Sequence, residues 1–456
     1  MSKDKFTGVE FSGDKIILPV VMTPKIAIDW LVRWDNDQST EVVFSQTFNC
    51  HPLEGAYALY LGLKEKYGFV SVVGTPGFFG DDPPHMINIQ INARESVQVP
   101  WGSMIVPNVK NGRMATSISV EGTTPKFKLD AIIMKKDEGK VVELCDLIRR
   151  NIEKYSIYRG SAFRISFADK PQDCMGEAYH PKFMNTDGVN TEQLLLNEYT
   201  RNLIDISIFT PIKNSIMCRE MGIPLHRGVL LEGQYGTGKT LAATITAKLC
   251  EDNRWTFIYV SDTQQLEQAL SFAKAYTPCV LFAEDVDRIM NGIRTYDMDA
   301  ILNAVSGVDS KDTEIMLVLT TNHVEQINQA MLRPGRLDAV ITIEPPNADT
   351  VQKLIRMYGD GALPENINLK SVSESLAGQI PAVIREVVER AKLASLSKGE
   401  KLIAVSDLSL MADSMVNQVN LLNRDRKKGN RQIQLVIDQD AVRGWGAEVL
   451  ESKSVH

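Results

Sequence analysis

The 456-residue chain contains six cysteines, and none of them forms a Cys-x-x-Cys pair. Because disulfide scaffolds and zinc sites need clustered ligands, both are disfavoured, and six scattered histidines argue against a histidine metal site. No apolar run reaches the roughly 18 residues of a membrane-spanning helix, and the first ten residues do not form a secretion signal. These absences predict a soluble, cytoplasmic protein without a membrane partner.

A strong charge of one sign is also absent, because the formal net charge is only -7. Such a balance gives no overall attraction to nucleic acid. A short basic run at 424–431 leaves a nucleic-acid contact open, although a solvated linker is the favoured interpretation. The apolar share of 44% excludes a mostly disordered chain and supplies material for large cores.

The first part of the chain has the pattern of an α+β domain, which we assign to residues 1–167. It contains short alternating strands, and helices with one apolar stripe are predicted at 53–67 and 138–155. The polar residues 168–190 include glycine and proline and are predicted to form a linker.

The second part alternates short apolar strands with helices over residues 191–345. Strands without a polar side are typical of a parallel sheet that is covered on both faces. Residues 346–420 are predicted to form a helical lid, and residues 421–456 a basic segment and tail. Within the tail, 432–437 alternates polar and apolar residues, which predicts a final strand.

A glycine-rich loop follows the first of these strands and opens a helix. Its residues are Gly233, Gln234, Tyr235, Gly236, Thr237, Gly238, Lys239 and Thr240. They match the phosphate-binding pattern G-x-x-x-x-G-K-[ST], in which backbone N–H groups and the helix N-terminus hold phosphate oxygens. Lys239 is expected to reach the β- and γ-phosphates, Thr240 to ligate Mg²⁺, and Leu241 to complete the nucleotide contacts. The predicted cofactors are ATP and Mg²⁺.

Polar side chains follow two later apolar strands. Glu284 and Asp285 come directly after residues 279–283, and Asn322 ends the strand that includes 317–321. One acid can hold Mg²⁺ while the other polarises the attacking water, and Asn322 can orient that water. We predict Glu284 as a metal ligand beside Thr240 and leave open which acid activates water.

Two arginines, Arg333 and Arg336, flank a Pro-Gly turn. Guanidinium groups presented in this way suit the charge that develops on a transferring phosphoryl group. The alternative is an ordinary surface salt bridge, which contributes little to stability.

Together these four blocks resemble the AAA ATPases, which are ring-forming P-loop enzymes, over about residues 191–397. The resemblance implies an α/β P-loop NTPase fold, a parallel sheet with flanking helices plus a helical lid, here beside an N-terminal α+β domain. It implies that Arg333 and Arg336 reach the nucleotide of a neighbouring subunit and that Pro381 and Ala382 lie near the adenosine. The partner implied is the chain itself in a closed ring, with a hexamer favoured over a heptamer.

The sequence departs from the family pattern at three places. The usual Asp-Glu pair is inverted as Glu284-Asp285, Gln234-Tyr235 replaces a pair of prolines, and the segment 261–278 lacks an aromatic pore loop. The inversion and the short segment resemble the branch of the mitochondrial AAA translocase of the Rieske iron–sulfur protein. Because this chain shows no membrane anchor, translocation across a membrane is not expected.

These features predict Mg²⁺-dependent ATP hydrolysis by a ring that remodels or moves a macromolecular client, with a protein favoured. The client is expected to be held by the N-terminal domain without threading. Phe272 and Tyr276, the aromatic residues of 261–278, are expected to pack in the core. An ATP-switched scaffold with slow hydrolysis and a DNA-handling ring are the alternatives.

Overall fold

A computed structural model gives the structure. It describes residues 2–3, 9–12, 15–19, 22–68, 75–77, 80–82, 85–121, 124–167, 180–288, 313–327 and 337–429. Two compact units make up the chain. The first contains 1–191, 204–232 and 240–341, and the second contains 192–203, 233–239 and 342–456.

The N-terminal region of the first unit is α+β, as predicted. Its strands are β1 (Ser2–Lys3), β2 (Glu10–Ser12), β3 (Lys15–Ile17), β4 (Glu41–Phe48), β5 (Thr75–Gly77), β6 (Gly80–Asp82), β7 (His85–Gln90), β8 (Ser96–Trp101), β9 (Ser103–Ile105), β10 (Arg113–Glu121) and β11 (Thr124–Met134). Its helices are α1 (Pro24–Gln38), α2 (Pro52–Tyr67) and α3 (Glu138–Lys154).

An antiparallel sheet in the order β4-β11-β10-β9 carries the core of this region. Along β11, Phe127, Leu129, Ala131 and Ile133 are buried, while the residues between them are partly or fully exposed. This alternation places one face of the sheet in the core, where the apolar sides of α2 and α3 share the same cluster. The alternation predicted for the strands and the apolar stripes predicted for the two helices are confirmed.

The nucleotide sheet has seven strands, most of them parallel. They are β12 (Ala162–Ile165), β13 (Lys182–Phe183), β14 (Arg227–Glu232), β15 (Thr256–Val260), β16 (Cys279–Ala283), β17 (Ile315–Thr321) and β18 (Ala339–Thr342), in the order β13-β12-β15-β16-β17-β14-β18. The flanking helices are α4 (Glu198–Ile204), α5 (Thr210–Lys213), α6 (Ser215–Glu220), α7 (Lys239–Asp252) and α8 (Leu266–Ala273). The predicted parallel α/β sheet is confirmed.

The predicted boundary at residue 167 needs correction, because β12 precedes it and yet belongs to the nucleotide sheet. Ala162–Ile165 pairs in parallel with β15, and β13 pairs in turn with β12. The assignment of 168–190 to a linker is therefore also too broad, since β13 lies within it. Alternating apolar residues reveal a strand but do not reveal which sheet it joins.

Five aromatic rings, which we call the aromatic junction, connect the start of α2 with α8. They are His51, Tyr158, Phe163, Phe272 and Tyr276, and the His51 ring meets Tyr158 and Phe272 edge-on at centroid distances of 5.5 and 6.0 Å. Phe272 and Tyr276 are 4% and 2% exposed. The prediction that these two side chains pack in the core is confirmed.

A buried acid completes the junction. The Tyr276 hydroxyl donates to Glu54 Oε2 at 2.6 Å and accepts from the His51 backbone N–H at 3.0 Å. The Ser156 hydroxyl donates to the other Glu54 oxygen. Burial raises the pKa of Glu54, because desolvation disfavours its charged form.

Burial, with a smaller contribution from His180, lowers the pKa of His51 to about 3 from its ordinary 6.5. The imidazole is therefore neutral in the folded protein at neutral pH. Because the unfolded chain binds the proton more tightly, the contribution of His51 to stability declines as pH falls from 6.5 toward 3.

The second unit contains a helical cluster after the sheet, as predicted for residues 346–420. Its helices are α9 (Ala348–Tyr358), α10 (Lys370–Leu376), α11 (Pro381–Ser397) and α12 (Val405–Gly429), and their apolar sides form one core. Helix α12 runs past the predicted boundary at 420, so the first part of the basic run is helical. The predicted strand at 432–437 lies outside the described residues. Among the helices that the structure describes, none is both long and apolar enough to span a membrane.

Replacing Gly55 in α2 tests the packing of the N-terminal core. A Cβ at this position would overlap Phe127 of β11. We expect Gly55→Ala to lower the free energy of unfolding by about 1–3 kcal/mol, the range for overpacked cores, in a denaturant titration. The matched control is Gly139→Ala in α3, where a Cβ meets nothing within 4 Å. Equal stability of the two variants would contradict this packing.

Candidate nucleotide site

The phosphate-binding loop follows the buried strand β14, in which Val229, Leu230 and Leu231 are fully buried. Within the loop, Gly236 and Gly238 have φ angles of 79° and 109°. Residues with a Cβ rarely adopt this left-handed region, so glycine is required for the curl of the loop. The loop ends at Lys239, the first residue of α7, and so leads directly into a helix N-terminus, which attracts anions.

The Lys239 side chain is held within the loop. Its ammonium donates to the carbonyl oxygens of Gln234, at 2.9 Å, and of Gly233, and the residue is only 8% exposed. The Thr237 hydroxyl donates to the same Gln234 carbonyl at 2.8 Å. Tyr235 is exposed. These contacts fix the cation at the loop, where a phosphate group would need it.

Two residues predicted to contact the nucleotide or its metal ion follow Lys239 in α7. Thr240 and Leu241 are exposed on the first turn of the helix. The Thr240 hydroxyl is therefore accessible for a metal ion, and a hydroxyl oxygen is a suitable ligand for Mg²⁺.

The loop lies against the start of α11, where Pro381 and Ala382 are found. A Cβ at Gly236 would be 3.0 Å from Ile380 Cδ1 and 3.8 Å from Ala382 Cβ. A Cβ at Gly238 would likewise be 4.0 Å from Leu194 Cδ1. The sequence analysis named Pro381 and Ala382 but missed Ile380 and Leu194, although an apolar residue directly before a helix-starting proline was a usable signal.

The strand β16 is buried at all five positions and ends at Glu284. The Tyr259 hydroxyl donates to Glu284 Oε2 at 2.9 Å. Glu284 Oε1 is buried and has no hydrogen-bond partner among the described residues. Because buried carboxylate oxygens are nearly always paired, this atom fits a role in holding Mg²⁺ or a water molecule.

The next acid, Asp285, is held by the neighbouring strand β17. Asn322 Nδ2 donates to Asp285 Oδ1 at 2.7 Å, and the Asp285 N–H donates to Thr320 Oγ1 at 3.3 Å. Asp285 has a φ of 52°, a left-handed conformation that aspartate tolerates better than most residues. The ends of β16 and β17 are therefore joined through Asn322 and Asp285. The role of Asn322 in orienting the attacking water stays a prediction.

Strand register explains why these side chains meet. Val260, Ala283, Leu319 and Leu230 stand next to one another across β15, β16, β17 and β14. Since all four strands are parallel, their carboxyl ends reach the same edge of the sheet. Ligands of open α/β sheets bind at this edge.

Tyr259 and Arg164 are site residues that the sequence analysis missed. The Arg164 guanidinium lies 4.7 Å from the centre of the Tyr259 ring. The Tyr259 ring also stacks on the Phe282 ring, with 6.0 Å between the ring centres. Burial, together with the Glu284 charge, raises the pKa of Tyr259, so its hydroxyl stays protonated and donates. The only sequence signal was a tyrosine one residue before the end of a buried strand.

Asp287 was also missed as a site residue. Its Oδ1 accepts a hydrogen bond from the Thr321 hydroxyl at 2.8 Å, and the same hydroxyl accepts from the His323 N–H at 3.0 Å. This pair fixes the end of β17 next to Asn322. Arg333 and Arg336 lie outside the described residues, and their roles stay predictions.

The fold and the loop define a P-loop nucleotide-binding domain. Residues 229–345 match the family described as "ATPase family associated with various cellular activities (AAA)". The chain therefore contains an AAA ATPase domain, as the resemblance implied. Members of this family use ATP with Mg²⁺, and the side chains of Thr240 and Glu284 carry oxygen atoms of the kind that this ion prefers.

Similar proteins include two ATP-dependent zinc metalloproteases and a proteasome regulatory subunit. FtsH, an ATP-dependent zinc metalloprotease of Thermus thermophilus, is 27% identical over 45% of this chain and 36% of its own length. The 26S proteasome regulatory subunit 4 homolog of Schizosaccharomyces pombe is 27% identical over 43% and 48%. The YME1 metalloprotease homolog of Schistosoma mansoni is 24% identical over 73% and 56%. The chain thus spans between a third and just over half of these relatives.

Replacing Tyr259 tests whether it positions Glu284. We expect Tyr259→Phe to lower kcat about tenfold with little change in the Kd for ATP, because a hydrogen bond to the carboxylate is lost while the P-loop stays intact. Steady-state hydrolysis and nucleotide titration provide the two measurements. Tyr155→Phe, at an exposed tyrosine, is the control. An unchanged kcat would contradict the prediction that Tyr259 positions Glu284 for hydrolysis.

Proposed function

We propose that this protein is a Mg²⁺-dependent ATPase. The observation that carries the proposal is the P-loop, whose Lys239 ammonium is buried against loop carbonyls at the start of α7. In this mechanism the loop N–H groups and Lys239 bind the β- and γ-phosphates. Thr240 and Glu284 would hold Mg²⁺, which when bound would neutralise charge on the phosphates.

Glu284 and Asp285 accept hydrogen bonds from different side chains, and this favours different roles for the two carboxylates. Tyr259 fixes one Glu284 oxygen and leaves Oε1 directed elsewhere, whereas Asn322 fixes Asp285. One carboxylate polarises the attacking water, and Asn322 orients it through Asp285 or directly. Substituting each acid separately, and measuring Mg²⁺ dependence as well as kcat, distinguishes the two assignments.

We further propose that subunits assemble in a closed ring, with a hexamer favoured. In such a ring, Arg333 and Arg336 of one subunit complete the site of its neighbour, and a symmetric ring gives every site the same environment. A protein is the favoured client, since the relatives include proteases and a proteasome subunit by name.

The burial of Phe272 and Tyr276 supports a client mechanism without threading. Both rings belong to the aromatic junction and are not available to grip an extended chain. We propose that the N-terminal region holds the client instead. Because β12 belongs to the nucleotide sheet, deleting the chain up to residue 167 would damage the ATPase domain and cannot test this idea cleanly.

An ATP-switched scaffold with slow hydrolysis is the second candidate. It is favoured by the inverted acid pair, because Asp285 stands where the family places its glutamate and is bonded to Asn322. Turnover that stays slow in the presence of every client tested would favour this function over remodelling.

Replacing Lys239 tests the ATPase proposal. We expect Lys239→Ala to lower hydrolysis at least about a hundredfold, because no other cation lies within residues 233–240 to bind the phosphates. Phosphate release is measured, with circular dichroism to establish folding. Lys110→Ala, at an exposed lysine, is the control. Near-normal turnover by folded Lys239→Ala would overturn the P-loop assignment.

A fluorescent protein fused to a client tests the absence of threading. The client is one retained by the Glu284→Gln, Asp285→Asn variant, which is designed to keep ATP bound. We expect fluorescence to persist during ATP turnover, because unfolding by traction needs exposed gripping residues. A loss of fluorescence that requires hydrolysis would restore threading as the mechanism.

A further inference from the structure

A cavity of about 330 Å³ lies beside the aromatic junction in the first unit. Its polar lining comes from both sides of the junction: Asn49, Thr124 and Lys126 from the N-terminal α+β region, and Ser271 and Lys274 from α8 and the turn after it. The remaining walls are mostly buried residues, namely Cys50, His51, Pro125, Phe272, Ala275 and Tyr276. The size falls at the lower end of small-molecule sites.

The charge of this cavity favours an anion. Lys126 and Lys274 line it, and no carboxylate does so among the described residues. His51 adds no charge at neutral pH, and burial raises the pKa of the Cys50 thiol, which therefore stays protonated. Glu54 lies behind Tyr276 rather than in the lining, and desolvation favours its neutral form. The lining is thus net positive.

The hydrogen-bonding groups favour a phosphate over a carboxylate. The Thr124 and Ser271 hydroxyls, one from each side of the junction, share a hydrogen bond at 3.4 Å, and the Asn49 amide adds a donor beside them. With two ammonium groups, these donors can satisfy the three terminal oxygens of a phosphate monoester better than the two of a carboxylate. The cavity is larger than phosphate alone, and the faces of Pro125 and Phe272 suit an organic group.

We propose that this cavity binds a small organic phosphate, with its phosphate group between Lys126 and Lys274. The bound molecule would connect the N-terminal α+β region to α8 and so stiffen the aromatic junction. Such a ligand is distinct from the nucleotide of the P-loop, and its binding does not depend on ATP hydrolysis.

Calorimetric titration tests the proposal in full-length Lys239→Ala protein, which removes the lysine of the P-loop. The probes are inorganic phosphate, ribose 5-phosphate as an organic phosphate, and succinate as a carboxylate. We expect ribose 5-phosphate to bind more tightly than either other probe, and its affinity to fall with added salt. Adding Lys126→Gln or Lys274→Gln should weaken binding at least about tenfold, since each removes a charged hydrogen-bond donor.

Lys110→Gln is the matched control, because Lys110 is exposed and does not line the cavity. Circular dichroism and thermal unfolding establish that each variant folds. The proposal is overturned if no probe binds at millimolar concentration, if succinate binds as well as ribose 5-phosphate, or if the two cavity variants bind like Lys110→Gln. Loss of binding in only the cavity variants supports it, whatever the ATPase assays give.

Discussion

The parallel register of β14, β15, β16 and β17 is the constraint on which the nucleotide site depends. It brings the ends of four buried strands to one edge, so that short polar segments after each strand become neighbours. A shift of one residue in β16 would turn its side chains to the opposite face and move Glu284 away from Tyr259. Every position of β16 and β17 is buried, so such a shift would force the side chains on both faces to repack.

Local pattern was sufficient to predict the elements whose signal lies within one short stretch of sequence. The P-loop, helices α2 and α3, and strands β14 to β17 could all be read because their motif or apolar period is contained within a short stretch. The contacts of Tyr259 and Arg164 could not be read in this way. They depend on which strands become neighbours in the sheet, and the residues concerned are separated by tens of positions.

The aromatic junction packs the end of α8 and the turn after it against the start of α2. Phe272 and Tyr276 are buried there against His51 and Tyr158. Such close packing transmits displacement, since a dense interior is not easily deformed. A movement of α8 would therefore displace the start of α2, because the two are in direct side-chain contact.

The partner of β12 also has a consequence for the order in which the chain acquires its structure. Ala162 pairs with Phe257, about 95 positions later. At a synthesis rate of 5–20 residues per second, β12 leaves the ribosome roughly 5–20 s before its partner strand. Throughout that interval the N–H and C=O groups of β12 that face β15 are without their final partners, and exposed strand edges favour aggregation. Production of this protein should therefore benefit from chaperones that shield nascent strands.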